Sequence, residues 1–274
     1  MNKSELQDLE IKVLLETIYQ RYDYDFRLYS PASIKRRIEH YLGKTDFNNI
    51  SEMIPSIIYD KSFFESLFYT ISIPVTEMFR DPHVFKAIRK EVVPVLKTYP
   101  FIKVWIAGCA TGEEAYSLAI LLKEEGLYDR CQIYATDFND EALSKAKKGI
   151  YPIDKIRQYT ENYRKSGGKN PFSNYFQSQY GSVVLDTSLK KNIVFANYNF
   201  TTDTIFGEMN LIMCRNVMIY FNKTLQNLVF KLFHESLSSK GFLCIGSKES
   251  MSFSDISGKF KQIAKEVKIF SRVD

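Results

Sequence analysis

Through residues 1–73 the apolar positions recur every three to four residues, the period of an amphipathic helix, and no strand-like alternation appears before Ile71. Ser4 and Gln7 have the spacing of a capping box, and Leu6, Leu9 and Val13 follow them at helical intervals. A second helix is expected over residues 31–43, because Pro31 suits a first turn and Gly43 a stop. Further helical patterns cover 51–58 and 61–69. The two prolines of ISIPVTEMFRDP then break the pattern. This segment reads as the start of a linker, at about 74–100, between a helical N-terminal domain (1–73) and a second domain (74–274).

From Ile102 the character changes. IKVWIAG is a short apolar run ending in Gly108, as a buried parallel strand would be. A helix over 113–125, the strand CQIYATD and a helix over 140–148 follow. NIVFANYNF comes next, then MNLIMC followed by RNVMIYF, a helix over 224–237, and the strands GFLCIGS and VKIFSRV. This alternation predicts an α/β domain built on a doubly wound, mostly parallel sheet. Residues at about 155–195 fit it poorly. KSGGKNP is loop-like and SVVLD reads as a short strand, so a small β insertion is expected there.

The chain has 274 residues, suited to one large domain or a large plus a small one. Hydrophobic residues at 45% and charged residues at 25% exclude a largely disordered chain. No run approaches the length of a membrane span, and the N-terminus lacks the apolar core of a secretory signal. Lys and Arg outnumber Asp and Glu, 37 to 32, a mildly basic balance that permits an acidic partner without demanding nucleic acid. The four cysteines form no CxxC pair and are expected as buried thiols. His40, His83 and His234 are far apart and outside any HExxH, so no metal site is expected.

The stretch VWIAGCATGEEAYSLAI carries the chemistry. In a doubly wound sheet, ligands sit beyond the carboxyl ends of the strands where the strand order switches. Gly108 and Gly112 would let the backbone approach a ligand closely. A dinucleotide fingerprint needs GxGxxG, with the pyrophosphate on the helix N-terminus. Here the pattern is GxxxGEE, and Glu113 and Glu114 would repel a pyrophosphate. They would tolerate a cationic, phosphate-free nucleoside such as S-adenosylmethionine. The same glutamates also suit a helix N-terminus with no ligand at all. Asp137, at the tip of CQIYATD, could accept bonds from ribose hydroxyls; an Asp at such a place also serves as a turn residue or helix cap.

EMFRDP, AGCATGEEAYSLAI, YATDFND, KKGIYP and CRNVMIYF occur in this order. Together they resemble the chemotaxis-receptor glutamate methyltransferases, the CheR family, over most of the chain. The resemblance implies the fold of S-adenosylmethionine-dependent methyltransferases with a small all-helical N-terminal domain, and methyl transfer to glutamate side chains of receptor signalling helices. It implies that Thr76 and Arg80 of VTEMFR touch the cofactor, with Gly108 and Glu114 at the first loop and Asp137 on the ribose. Asn199 and Phe200 would flank the adenine, and Arg215 and Asn216 of CRN would line the site. Arg80 and Tyr220 are the residues expected to orient acceptor or cofactor. Pro74 stands where many members have Asn, and it lacks that side chain's hydrogen-bonding groups. The implied partners are the cytoplasmic helices of methyl-accepting chemoreceptors. The implied setting is a cytoplasmic monomer recruited to membrane receptor arrays, without membrane insertion. In some members the inserted subdomain anchors a tethering peptide of the receptor.

Within residues 31–44, Ile34, Ile38, Tyr41 and Leu42 cluster on one side of the helix, while Arg36, Arg37, His40 and Lys44 fall within an arc of about 100° opposite. Such a basic face is either merely solvated or docks an acidic helical bundle, as the family implies. Other classes stay in view. A nucleic-acid methyltransferase on the same fold would be expected to carry Asn/Asp-Pro-Pro-Tyr or a Pro-Cys nucleophile, and neither occurs here. A non-enzymatic module that binds S-adenosylmethionine, or a methyltransferase of a related signalling protein outside chemotaxis, would share the cofactor motifs. A nicotinamide oxidoreductase fails on the glycine pattern.

Overall fold

In the computed structural model, which describes residues 1–72, 75–252, 254–264 and 266–273, the chain divides into two units. One is Met1–Pro74 with Tyr220–Leu228; the other is Val75–Ile219 with Val229–Asp274. The first is built on helices α1 (Lys3–Tyr22), α2 (Pro31–Leu42), α3 (Met53–Tyr59) and α4 (Lys61–Ser72). The box that starts α1 lies two residues earlier than the sequence pattern predicts. Asn2 accepts the Glu5 N–H at 3.0 Å, and the Glu5 carboxylate takes the Asn2 N–H at 2.8 Å. The buried row of α1 also differs. Leu6, Leu9 and Val13 are exposed, while Ile11, Leu14, Leu15 and Ile18 are buried. The second row is the fuller i, i+3, i+4, i+7 stripe, so it removes more apolar area from water. Pro31 occupies the first turn of α2, where a missing N–H costs nothing.

The second unit opens with α5 (Pro82–Ala87), a single π turn (Ile88–Val92) and α6 (Val93–Leu96). Then come β1 (Ile102–Ala107), α7 (Glu113–Glu124), β2 (Cys131–Asp137), α8 (Asp140–Lys148) and β3 (Ile150–Pro152). Helix α9 (Ile156–Lys165) leads to β4 (Phe176–Gln179), β5 (Ser182–Leu185), β6 (Ile193–Asn197) and β7 (Met209–Cys214). Helix α10 (Lys223–Ser236), β8 (Leu237–Ile245), β9 (Phe260–Gln262) and β10 (Ile269–Arg272) complete the chain. RNVMIYF holds a short 3₁₀ turn, Met218–Tyr220, and from Tyr220 to Leu228 the chain belongs to the first unit.

The main sheet has the order β6-β2-β1-β7-β8-β10-β9. Its first five strands are parallel, and β10 and β9 close the edge antiparallel. The chain leaves β1 towards β2 and β6 on one side, and later returns to β7 and β8 on the other. The order therefore switches between β1 and β7, and a ligand crevice is expected beyond the carboxyl ends of these strands. Ile102, Val104, Trp105, Ile106 and Ala107 of β1 are all buried, which is why the central strands read as apolar runs. A separate antiparallel sheet, β3-β5-β4, forms the insertion, which begins at Ile150, ahead of the predicted boundary. No described helix is long and apolar enough to cross a membrane.

Candidate active site

The loop after β1 turns back sharply because its backbone enters the left-handed region three times: Gly108 at φ +84°, Ala110 at +48° and Gly112 at +92°. A Cβ on Gly108 would lie 2.4 Å from Val217 Cγ2, and one on Gly112 would lie 2.8 Å from the Ala146 Cβ of α8. Both glycines are thus required by conformation and by space. The loop is pinned to β2, where the Thr136 carbonyl accepts the N–H groups of Gly108 and Cys109, each at 2.8 Å. Asp137 finishes the job. Its Oδ2 accepts the Ala110 N–H at 2.8 Å and its Oδ1 the Asn139 N–H at 3.0 Å. The Phe138 N–H also bonds the carboxylate, which keeps acceptor capacity for a further donor. Burial pushes the Asp137 carboxyl above its ordinary range, against the pull of those amides.

Glu113 and Glu114 occupy the first turn of α7, where the helix dipole favours acids. Glu113 is buried. It accepts from Thr111 Oγ1 at 2.7 Å and more loosely from the Tyr159 hydroxyl of α9, while Tyr151 donates to the Thr111 carbonyl at 2.8 Å. Glu114 is not free to face a ligand with both oxygens, since its Oε2 meets Arg215 Nη1 at 2.6 Å. Arg215, whose side chain is 0% exposed, also reaches Asp81 Oδ2 at 2.7 Å and the Arg80 carbonyl at 2.9 Å. Burial disfavours the Arg215 cation, and the Glu114 and Asp81 carboxylates more than restore it. Burial pushes the carboxyls of both Glu113 and Glu114 up, and for Glu114 the charges of Arg215 and Arg80 oppose this.

Sequence reasoning missed two acids. Asp81 precedes a helix that starts with proline, ordinarily the place of a cap, yet its carboxylate turns to Arg215 and caps nothing. Glu249 lies three residues beyond Gly246, at the end of β8. Its Oε1 accepts the N–H groups of Val217 and Met218, each at 2.8 Å, and its Oε2 accepts that of Gly246. A buried carboxylate thereby fixes the turn after β7, including Asn216 at φ +61° and the Val217 side chain beside Gly108. The only signal in the sequence was an acid just past a strand-ending glycine.

The remaining expected residues fall as follows. Thr76 and Arg80 are half-buried, and Arg80 Nη1 lies 3.4 Å from the Val75 carbonyl. Pro74 lies outside the described residues. Asn199 closes a turn, accepting from the N–H and hydroxyl of Thr201 at 3.0 and 2.8 Å. Phe200 is half-buried against the rings of Trp105, Tyr198 and Phe233, with centroids 5.6–6.2 Å apart. In the first unit the Tyr220 carbonyl accepts the Ser30 N–H at 2.8 Å. The Arg37 guanidinium lies over the Tyr220 ring, 4.2 Å from its centroid, a cation–π contact. Arg37 does not belong to the solvated basic face. It is 4% exposed, and its Nη1 donates to the Ile71 carbonyl. It sits on the border between the polar and apolar sides of α2, and its long stem is drawn in. Arg36, His40 and Lys44 are exposed.

Chemically, the loops beyond the carboxyl ends of β1, β2 and β7 bring together backbone amides and buried carboxyls. Asp137, Glu113 and Glu114 are all held above their ordinary pKa by burial. A cation placed beside Asp137 or Glu113 would relieve that cost, and a phosphate would add to it; Glu114 already has Arg215. The arrangement fits a nucleoside that carries positive charge and no phosphate.

Comparison with known proteins agrees with this chemistry. Residues 74–269 match the model of the CheR methyltransferase S-adenosylmethionine-binding domain, and residues 9–72 that of the CheR methyltransferase all-α domain. A Pseudomonas putida protein that carries the name Cher3 is 52% identical over 265 residues, covering 97% of each chain. The chemotaxis protein methyltransferase of Listeria monocytogenes is 28% identical over 83% of this chain and 84% of its own. That of Escherichia coli is 27% identical over 90% of this chain and 86% of its own. The chain therefore belongs to the CheR methyltransferase family and is an S-adenosylmethionine-dependent methyltransferase with an all-helical N-terminal domain.

Proposed function

We propose that this enzyme methylates side-chain carboxylates of glutamate residues on the cytoplasmic signalling helices of chemoreceptors. The observation that carries the reading is the loop from Gly108 to Gly112, locked to Asp137 and edged by buried acids. The names of the Listeria and Escherichia relatives support the choice of substrate. When bound, the cofactor supplies a sulfonium methyl group that an acceptor oxygen takes as the thioether leaves with the bonding electron pair.

A glutamate acceptor has a pKa of about 4.3, so it is already anionic at neutral pH and the chain has no proton to remove. Its residues position and exclude water. Asp137 offers its remaining acceptor capacity to the ribose hydroxyls, and the Gly108 backbone admits close approach. Asn199 and Phe200 are assigned to the adenine side. Arg215 and Glu114 neutralise each other and, with Asn216, form a rigid wall. Thr76 is assigned to the cofactor. Arg80, a half-buried cation of the cofactor unit, is suited to steer the acceptor carboxylate. Tyr220, which lies under Arg37 in the helical unit, is assigned to orient acceptor or cofactor, and the exposed Arg36, His40 and Lys44 suit an acidic helical partner. The setting this implies is the cytoplasm, at receptor arrays.

The test is transfer of labelled methyl groups from S-adenosylmethionine to purified receptor cytoplasmic fragments, followed by mass spectrometry of the product. Base-labile methyl esters on glutamates are expected. Label that resists base, or that appears only on another protein, would rule the substrate out.

A further inference from the structure

Arg80 is held between two residues in the left-handed region, Phe79 at φ +52° and Asp81 at φ +56°. Neither is glycine, and a bulky aromatic residue there is a genuine outlier that persists only when its surroundings enforce it. The surroundings are specific. The Phe79 N–H donates to Ser117 Oγ at 2.8 Å, and that hydroxyl donates onward to the Glu113 carbonyl at 2.6 Å. The Met78 carbonyl accepts from Asn162 Nδ2 at 3.1 Å, and Asn162 Oδ1 accepts from Gln158 Nε2 at 2.8 Å. Ser117 is 0% and Asn162 5% exposed. The Phe79 ring packs on Phe85, Tyr163 and Phe172, with centroids 5.1, 5.2 and 6.2 Å away. On the far side of the turn, Arg215 holds the Arg80 carbonyl and Asp81.

We infer that Ser117 of α7 and Asn162 of α9 are positioning residues that hold the strained turn at 78–81 and thereby aim Arg80 at the reaction. The inference rests on the reading that Arg80 acts in methyl transfer. It gives α9, the helix that leads into the inserted sheet, a part in catalysis. Each polar atom of Ser117 and Asn162 in these bonds is spent on the turn or on holding the residue that grips it. Loss of the Ser117 hydroxyl leaves the Phe79 N–H without its acceptor, and the turn can relax towards an unstrained conformation. Replacing the Asn162 amide by a carboxylate sets an oxygen against the Met78 carbonyl.

The experiment is a set of double-mutant cycles in the full chain, with receptor fragment as acceptor. Kinetics are measured for Ser117→Ala, Asn162→Asp and Arg80→Ala, and for each of the first two combined with Arg80→Ala. Ser117→Ala and Asn162→Asp are expected to lower kcat about tenfold, as a misaimed group does, while KM for S-adenosylmethionine changes less than about twofold. In the Arg80→Ala background each should lower kcat by less than about twofold more. Losses that multiply in full in that background would show a merely structural role and overturn the proposal. So would unchanged kcat in the single variants. If Arg80→Ala alone keeps wild-type kcat, the role of Arg80 fails and the inference with it. Absence of any receptor methylation by the wild type is a different failure, that of the substrate assignment. If Asn162→Asp does not fold, as judged by thermal melting, Ser117→Ala removes a single oxygen and decides the matter alone.

Discussion

Asp137 ties the β1 loop through Ala110, and in the proposed site its remaining lone pairs serve the ribose. Asp137→Ala removes both. Hydrogen bonds to a charged acceptor contribute roughly 1.5–3 kcal/mol each, so the Kd for S-adenosylmethionine and for its demethylated product is expected to rise by about one to two orders of magnitude. Calorimetry on the folded variant checks this, and unchanged affinity would remove Asp137 from the site. Burial also fixes a pH dependence. An acid whose folded pKa is raised is favoured protonated in the fold, so its contribution to stability falls as pH rises from the unfolded pKa through the folded one. A cationic ligand prefers the ionised form. Affinity should therefore weaken as pH falls through the raised pKa values of Asp137 and Glu113 and level off above them. Titration calorimetry in two buffers of different ionisation heat should show proton release on binding in the pH range where affinity falls. Proton uptake would reverse the sign and refute it. The placement of Gly108, Glu114, Asp137 and Arg215 in the loops beyond the strand ends was legible, because each lies in a motif that follows or ends an apolar strand. Glu249 and Asp81 were not, because their importance comes from backbone amides and a guanidinium distant in sequence.

The helices and strands differ in how openly the chain announces them. β1, β2, β7 and β8 are apolar runs bounded by glycine or polar turns, and all were expected. β3, β4 and β9 are three or four residues long, and FQSQ of β4 has three polar positions, so neither period nor composition marks it. Such strands are made by pairing, not by propensity. In α1 the period was right and the face wrong, because two apolar rows compete and only the fold decides which is covered. The insertion is fastened to the main domain by Glu124 at the end of α7. Its carboxylate accepts from the Tyr175 hydroxyl at 2.9 Å and the Lys169 N–H at 3.0 Å, and also pairs with Tyr163 and Arg89. Arg89 comes from the π turn, and its Nη1 also reaches Glu125 Oε1 at 2.9 Å. Glu124→Gln retains the shape but loses the charge and one acceptor, so it should destabilise the protein by about 2 kcal/mol. Hydrogen exchange is expected to quicken first over residues 163–176, while β1 and β2 stay protected. Uniform exchange across the second unit would mean that Glu124 supports the whole fold and is no local latch.

Over the full chain the charge is only +5, so attraction to an acidic partner depends on where the cations are exposed. The sequence placed Arg36, Arg37, His40 and Lys44 on one face. The fold withdraws Arg37 to the Ile71 carbonyl and the Tyr220 ring, where burial pushes its pKa down. It leaves Arg36, His40 and Lys44 in solvent. These two groups should answer differently to mutation. Glutamate-rich receptor helices present an acidic surface, and exposed cations attract such a surface over a screening length of about 8 Å at physiological ionic strength. Raising salt should therefore lower kcat/KM for receptor fragment, mainly through the association step. Arg36→Glu combined with Lys44→Glu should lower kcat/KM about tenfold at low salt, an order set by electrostatic steering. It should also flatten the salt dependence, with the Kd for S-adenosylmethionine and the melting temperature nearly unchanged. Arg37→Glu should instead lower the melting temperature, because it buries an acid where a guanidinium was held by a carbonyl and a ring. Initial rates against salt for wild type and both variants, with cofactor binding and melting as controls, separate the two effects. A double variant with wild-type rates and an undiminished salt slope would show that the exposed cations of α2 do not capture the substrate, and the attraction would then have to come from another basic surface.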